Sequence, residues 1–375
     1  MKSNRIVLYG PPIGQNIKKG YGGGSGGYTR NMSAYLNFQF DNISLSPLFH
    51  TVRGESDLGI FTSLIRSFVD LKRIVQTLIF NRPQGVHVLT QYRKALGREF
   101  ALSVLAKMFR IPYMYEIKAG SFIDFCEKSG ALNRFFLRYI LNNAQVVLCE
   151  GEKYIPYLEK TFNIKGYYFP NFVLSTEIPE NPNVLFESDI LRVLFVGYCT
   201  RDKGVFELVE GVSCFAEERN VKVELTLVGS EDPDFSKFIE RYPISNNLKV
   251  TRSGRLAHKD VLVQMSKNDI YCYPSRHRGE GHNNSINEAM MFGLVVITTK
   301  IGFLLEVLGN SAFFIDDVES TQIYSALSQI QLDKGGAMEK ARRAHHRLLS
   351  SYTDSVVHER LKLHYKQLVT NSKAS

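Results

Sequence analysis

Short apolar runs recur along the chain, separated by stretches whose apolar residues return every three or four positions. In the first half the runs are RIVLY (5–9), VHVLT (86–90), PYMYEI (112–117) and QVVLC (145–149). In the second half they are RVLFVG (192–197), VELTLVG (223–229), DIYCYP (269–274), LVVITT (294–299) and AFFID (312–316). Most are apolar without interruption, as strands covered on both faces are. Between them lie helical patterns. Over 61–79, Phe61, Leu64, Ile65, Phe68, Leu71, Val75 and Leu78 form one stripe, and Arg66, Lys72 and Arg73 fit the basic outer face of a packed helix. Strand and helix in alternation predict an α/β fold of parallel sheets wrapped by helices.

Two such runs of similar length predict two doubly wound, Rossmann-like domains facing a central cleft. The junction falls in FPNFVLSTEIPENPNVLFE (169–187), which holds three prolines and little periodicity. The expected boundaries are 1–173 and 174–350, with 351–375 a final helix crossing back to the first domain. The length of 375 residues agrees with two cores rather than one. No stretch approaches the ~20 uncharged apolar residues that span a bilayer, and the apolar part of MKSNRIVLYG is too short for a signal peptide. The five cysteines are widely spaced without a C-x-x-C pair, which predicts core packing in a reducing compartment.

Charge changes the picture more than composition does. Residues 1–175 carry 22 Lys and Arg against 11 Asp and Glu, whereas 176–375 carry 24 against 26, so the net +9 belongs to the first half. An anionic partner for that half is implied, a lipid headgroup or a phosphorylated substrate; a solvated basic surface is the plain alternative. Nucleic acid is not expected, because no zinc spacing, recognition-helix signature or RNA-binding aromatic motif accompanies the charge.

The segment KKGYGGGSGGYTRNMSAYL (18–36) has six glycines in eight positions and runs into a helical pattern at Met32, Tyr35 and Leu36. A glycine loop entering a helix N-terminus offers backbone N–H groups and a positive dipole end to an anion. A flexible linker is the alternative. The reading preferred is a substrate-facing loop containing Gly26 and Gly27.

GEGHNNSINEAMMFG (279–293) sets Glu280 and Glu288 eight positions apart across small and amide residues. Ser285 and Glu288 spell an S-x-x-E capping box, with Asn284 an equal cap, and Glu280 reads equally as a solvated loop acid. Yet the segment follows a buried strand and enters a helix, which places it at the carboxyl edge of a parallel sheet, where ligands bind in open α/β folds. Amides at Gly281, His282, Asn283, Asn284 and Ser285 suit a diphosphate, and carboxylates at either end suit ribose and sugar hydroxyls.

The stretch YPSRHRGEGHNNSINEAMMFGLVVITTKIG resembles the signature of family-four retaining glycosyltransferases of the GT-B fold, with the E-x7-E pair falling on Glu280 and Glu288. The resemblance implies that Glu288 binds the nucleotide ribose, that Glu280 contacts the donor sugar, and that the amides between them contact the diphosphate. LFVGYCTRDKGVFELVEG (194–211) resembles the strand, loop and helix that bring an Arg and a Lys to the donor diphosphate. Lys203 matches the Lys. Tyr198 stands where the family has the Arg, and Arg201 is the candidate substitute, with a charged turn as the plain alternative for both cations. GRLAHKDVLVQMSKNDIYCYPS (254–275) resembles the base-binding loop, which brings in Arg255, and Gly26 with Gly27 match the family's paired glycines. YEIKAGSF (115–122) sits where many members carry a histidine. Here Lys118 is the candidate for contact with a phosphate or the acceptor, while Glu116 packs or pairs.

These resemblances imply transfer of a sugar, with retention, from a UDP- or GDP-linked donor to a saccharide or lipid-diphosphate-linked saccharide, in cell-surface polysaccharide or glycolipid synthesis. A cytoplasmic protein peripheral on an anionic membrane is expected, with no cofactor beyond the nucleotide sugar and no metal. The D-x-D within EDPD (231–234) reads instead as a turn into a helix. A non-catalytic nucleotide-sugar-binding subunit of the same fold is the principal alternative. A sugar-nucleotide epimerase, which would lack the E-x7-E order, is the other.

Overall fold

The computed structural model describes residues 4–12, 24–51, 60–90, 95–118 and 120–372. The chain divides into two compact units, one made of Met1–Asn171 and Asp354–Ser375, the other of Phe172–Thr353.

The first unit runs β1 (Asn4–Gly10), α1 (Gly24–Asn37), β2 (Ile43–Phe49), α2 (Ile60–Gln76), β3 (Gly85–Thr90), α3 (Leu96–Met108), β4 (Tyr113–Ile117), α4 (Phe122–Lys128), α5 (Ala131–Asn143), β5 (Val146–Cys149), α6 (Tyr154–Phe162) and β6 (Gly166–Tyr168). Its six strands are all parallel, in the order β2-β1-β3-β4-β5-β6. Right-handed crossovers put α2, α3, α5 and α6 on one face, because every step from β2 onward moves the same way across the sheet. The step from β1 to β2 runs the opposite way, so α1 takes the other face. The last helix of the chain (Asp354–Ser372) packs there too, against β3, and its His358 ring lies 5.7 Å from that of Tyr35.

Two sequence expectations change here. The helix after the glycines begins at Gly24, so Gly26 and Gly27 lie in the first turn of α1 rather than in the loop before it. Full burial of Met32 and Tyr35 anchors the helix, and packing overrides the poor helical propensity of glycine. The second change concerns α2. Asp70, Ile74 and Leu78 face the core, whereas Ile65, Phe68 and Leu71 of the predicted stripe are exposed. Asp70 is drawn inward by Arg98, 2.8 Å away, and by the backbone N–H and hydroxyl of Thr51.

A buried ionic cluster crosses the middle of this sheet. Glu116 on β4 accepts hydrogen bonds from Tyr35 (3.0 Å) and His87 (2.8 Å) and lies 2.9 Å from the Lys118 ammonium. The other ring nitrogen of His87 is 2.8 Å from the hydroxyl of Tyr365, near the end of the chain. Burial pushes the Glu116 carboxyl up, but Lys118 and His87 outweigh it and hold the group at about 2.

The second unit runs β7 (Leu191–Val196), α7 (Val205–Glu218), β8 (Val223–Val228), α8 (Pro233–Arg241), β9 (Leu248–Gly254), α9 (His258–Met265), β10 (Ile270–Tyr273), α10 (Asn284–Met291), β11 (Val295–Thr299), α11 (Leu304–Leu308), β12 (Phe313–Ile315), α12 (Ser320–Leu332) and α13 (Lys334–Ser351). Its strands are parallel in the order β12-β11-β10-β7-β8-β9. The EDPD stretch is a helix start. Asp232 caps α8 by accepting from the Asp234 N–H at 2.8 Å, with Pro233 in the first turn. Both sheets carry their helices on two faces, as the unbroken apolar strands require.

Candidate functional site

In the second unit the chain builds β7, β8 and β9 outward in one direction, then returns to lay β10 on the opposite side of β7. The order therefore reverses between β7 and β10. Such a reversal at the carboxyl edge of a parallel sheet is where open α/β folds bind ligands. The turn Arg201–Lys203 follows β7, and the loop 274–283 follows β10.

Two glycines set the approach of these loops. Gly204 has φ +69°, and a Cβ there would lie 2.1 Å from the Pro274 carbonyl oxygen, so the turn after β7 presses directly on the end of β10. Gly302, at φ +64°, leaves equally little room beside the Glu280 carbonyl, where a Cβ would lie 2.2 Å away.

Glu280 sits at the centre. One of its carboxylate oxygens accepts hydrogen bonds from Lys203, from the Tyr273 hydroxyl at 2.9 Å and from the Ser275 hydroxyl at 2.8 Å. Lys203 also donates to the Tyr273 hydroxyl at 2.8 Å. Burial and the Glu280 charge push the Tyr273 phenol far above its usual range, so it remains a donor. The rest of β10 is fixed by Thr298 and Thr299, whose hydroxyls donate to the carbonyls of Tyr273 and Ser275, both at 2.7 Å.

The helix α10 starts differently from the S-x-x-E expectation. Asn283 is the cap, its side-chain oxygen accepting from the Ser285 N–H at 2.9 Å and from the Ser285 hydroxyl at 2.7 Å. Ser285 lies inside the helix, 2.6 Å from the Tyr271 hydroxyl. Asn283 wins because its side-chain oxygen closes an Asx turn on the Ser285 N–H two residues on, while the Ser285 hydroxyl is held by Asn283 and Tyr271. Glu288 is thus not a capping-box acid. It lies 3.0 Å from Nε2 of His258, whose Nδ1 is 3.5 Å from Glu177. His282 is buried, 2.8 Å from the Asn287 side-chain oxygen and edge-on to the Tyr352 ring. Asn284 holds a buried side-chain oxygen for which no hydrogen-bond partner is present among the described residues. An acceptor so placed suits a hydroxyl brought by a ligand.

The structure thus brings Glu280 and Lys203 into direct contact. Arg201 turns aside, its guanidinium 4.2 Å from the centre of the Phe206 ring. Arg255 lies in the loop between β9 and α9, three residues before His258, with its side chain exposed. Gly281 stands in the loop beside Glu280. In the first unit Lys118 is buried between Glu116, the Asn171 side chain at 2.9 Å and the Phe169 ring. Sequence reasoning did not single out Tyr273, Ser275, His258 or Glu177. The two tyrosines of DIYCYP, two positions apart on one strand, share a face, and their rings stack at 6.2 Å.

Residues 178–347 match the family model described as Glycosyl transferases group 1. The phosphatidylinositol N-acetylglucosaminyltransferase gpi3 subunit of Schizosaccharomyces pombe is 21% identical over 256 residues, covering 67% of this chain and 55% of that protein. The chain therefore matches little more than half the length of this curated relative. Sucrose-phosphate synthase from Thermosynechococcus elongatus aligns with a TM-score of 0.69 at 15% identity, over 98% of this chain and 100% of that one. HepE of Anabaena, solved in complex with UDP, gives 0.69 at 13% identity over 97% and 100%. A glycosyltransferase from Rickettsia africae gives 0.70 at 14% over 99% and 100%. At these identities the likeness to the solved structures is one of fold, the two Rossmann-like units of the GT-B type. The stretch matched by the family model, residues 178–347, takes in nearly the whole of the second unit.

Proposed function

We propose that the chain is a retaining glycosyltransferase of the family-four kind, which moves a sugar from a UDP- or GDP-linked donor to a saccharide or lipid-linked saccharide. The observation that carries this reading is the Lys203–Glu280 contact, set at the strand-order reversal beside the N-terminus of α10. Departure of a nucleoside diphosphate leaves negative charge on phosphate oxygens, and cations and N–H groups already aimed there stabilise it. Lys203 supplies the cation, held by Glu280. The amides from Gly281 to Ser285 and the α10 dipole supply the neutral donors. Glu288, set by His258, accepts from ribose hydroxyls, and the side-chain oxygen of Asn284 accepts from a sugar hydroxyl. The acceptor attacks from the face the diphosphate leaves, so configuration at the anomeric carbon is kept. Synthesis of a cell-surface glycolipid or polysaccharide on the cytoplasmic face of a membrane is the setting that fits the basic first half of the chain.

A second reading has one observation in its favour. Tyr198 occupies the place of the diphosphate Arg, and Arg201 is turned onto Phe206. A nucleotide-sugar-binding subunit without transferase activity fits that loss. Calorimetric titration with UDP, GDP, UDP-glucose and UDP-N-acetylglucosamine, followed by measurement of slow donor hydrolysis, separates the readings. The transferase reading expects binding and release of free sugar with retained anomeric configuration, read by NMR. Binding with no turnover, with or without added acceptor, favours the subunit, and no binding at all rejects both.

A further inference from the structure

Three neighbouring helices of the first unit bury apolar residues inward, as packed helices do, and carry further large apolar side chains outward. On α2 the inward position is Asp70 while Phe68, 69% exposed, and Leu71 face out. A π-helical turn, Thr77–Asn81, continues α2 and carries Ile79 and Phe80 outward, the latter 78% exposed. On α3 the inward residues include Glu99 and Ser103, while Met108 is exposed. On α5 Leu132 and Phe135 are exposed, with Phe135 at 58%. The crossovers place α2, α3 and α5 side by side on one face of the sheet, and α3 packs against both its neighbours. Their outer surfaces therefore adjoin.

The charges on these helices are one-sided. Among the three helices and the π-turn the acids are Asp70 and Glu99, both buried, Asp70 against Arg98 and Glu99 beneath the Tyr115 hydroxyl at 2.6 Å. The exposed cations include Lys72, Arg73, Lys107, Arg134 and Arg138. Large exposed apolar side chains set among cations, with no exposed acid, match the interface of an anionic bilayer, where rings enter the acyl boundary and cations meet headgroups. A protein partner or a second copy of this chain would have to supply acids in register with these cations, and α6 of the same layer exposes Glu159 alone, whereas an anionic lipid surface offers negative charge without any register.

We propose that the outer face of α2, α3 and α5 docks the protein on an anionic lipid surface. The proposal rests on the transferase reading only in that a lipid-borne acceptor would be met there; the surface itself stands on exposure and charge. The test is flotation of the full chain with phosphatidylcholine vesicles, with and without phosphatidylglycerol, at low and high salt. The wild-type protein floats with the anionic vesicles at low salt and is released as salt screens the cations. The double variant Lys72→Ala and Arg73→Ala lowers partition about thirtyfold, near fivefold for each cation. The double variant Phe68→Glu and Phe135→Glu lowers it by about tenfold or more for each ring. UDP affinity is unchanged in both, since the substitutions lie on exposed positions of the first unit and the candidate donor-site residues Lys203, Glu280 and Glu288 lie in the second. Absence of flotation, or flotation equal in the variants, overturns the proposal. So does a dimer in light scattering that Phe68→Glu dissociates without any vesicle binding, which would make the face a contact between copies. Failure of the wild-type protein to bind nucleotides removes the transferase reading and leaves the flotation result standing on its own.

Discussion

If Glu280 acts chiefly by holding Lys203, the two residues must fail together. The side chains are 8% and 21% exposed, so the pair is largely but not wholly withdrawn from water. Removing one partner of a fully buried pair costs about 3–5 kcal/mol, because the other charge is left uncompensated. Here Glu280 keeps Tyr273 and Ser275 as donors and Lys203 keeps some water, so Lys203→Ala should cost about 1–2 kcal/mol of stability. For a unit of this size that lowers the melting temperature by roughly 2–8 °C. The effect on donor binding is separate. A hydrogen bond to a charged phosphate oxygen is worth about 1.5–3 kcal/mol, so Lys203→Ala should weaken UDP binding by roughly ten- to a hundredfold. Glu280→Ala frees the ammonium to swing and should weaken it similarly. The double variant should be no worse than either single one, leaving a coupling of about 1.5–3 kcal/mol. The assay is a double-mutant cycle on UDP dissociation constants by calorimetry, with melting temperatures measured alongside. Additive losses, with coupling within about 0.5 kcal/mol of zero, would show that the two side chains act on the ligand independently and refute the reasoning.

Gly204→Ala forces a methyl group against the Pro274 carbonyl at an unfavourable φ; a loss of about 2–3 kcal/mol in chemical denaturation and a collapse of UDP affinity are expected, although no ligand-facing side chain has changed. Glu288→Ala should weaken UDP binding about tenfold with little change in melting temperature, because Asn283 rather than Ser285 and Glu288 caps α10; a large thermal loss with intact binding would reverse this assignment. The first unit should lose stability in acid in two stages. His358, which burial pushes down to about 4, contributes stability above its ordinary 6.5 that is lost as pH falls toward 4, and Glu116 contributes stability above about 4.5 that is lost as pH falls toward 2. Tyrosine fluorescence follows the transition, since the chain has no Trp, and Glu116→Gln should flatten the lower stage.

What the sequence concealed follows a physical pattern. Interior strands such as VVLC and VVITT are buried on both faces and announce themselves as unbroken apolar runs. The strands that escaped, ISLSPLF, GYY and LKVTRSG, are β2, β6 and β9, three of the four sheet edges. An edge strand is covered on one side only, and it tolerates Ser, Lys, Arg and even Pro47 without a loss of pairing. The α2 stripe misled for the opposite reason. Periodicity shows that apolar residues share a face but not that the face is inward, and Asp70 went inward with its own arginine. At the site, Glu280, Glu288 and Lys203 stand out because their loops carry recognisable spacing. Tyr273, Ser275 and His258 do not, since their roles come from strand adjacency and from a contact across 30 residues that no local pattern encodes.

The hydrogen bond from Tyr365 to His87 joins residues 278 positions apart, and between them the chain completes the whole second unit. The second unit is in this sense an insertion within the first. As the chain leaves the ribosome, residues 172–353 emerge as one continuous piece and have every strand they need before synthesis ends. The first unit, begun earlier, must wait with Glu116 and His87 uncovered until the last helix arrives, so the half made first is the half finished last.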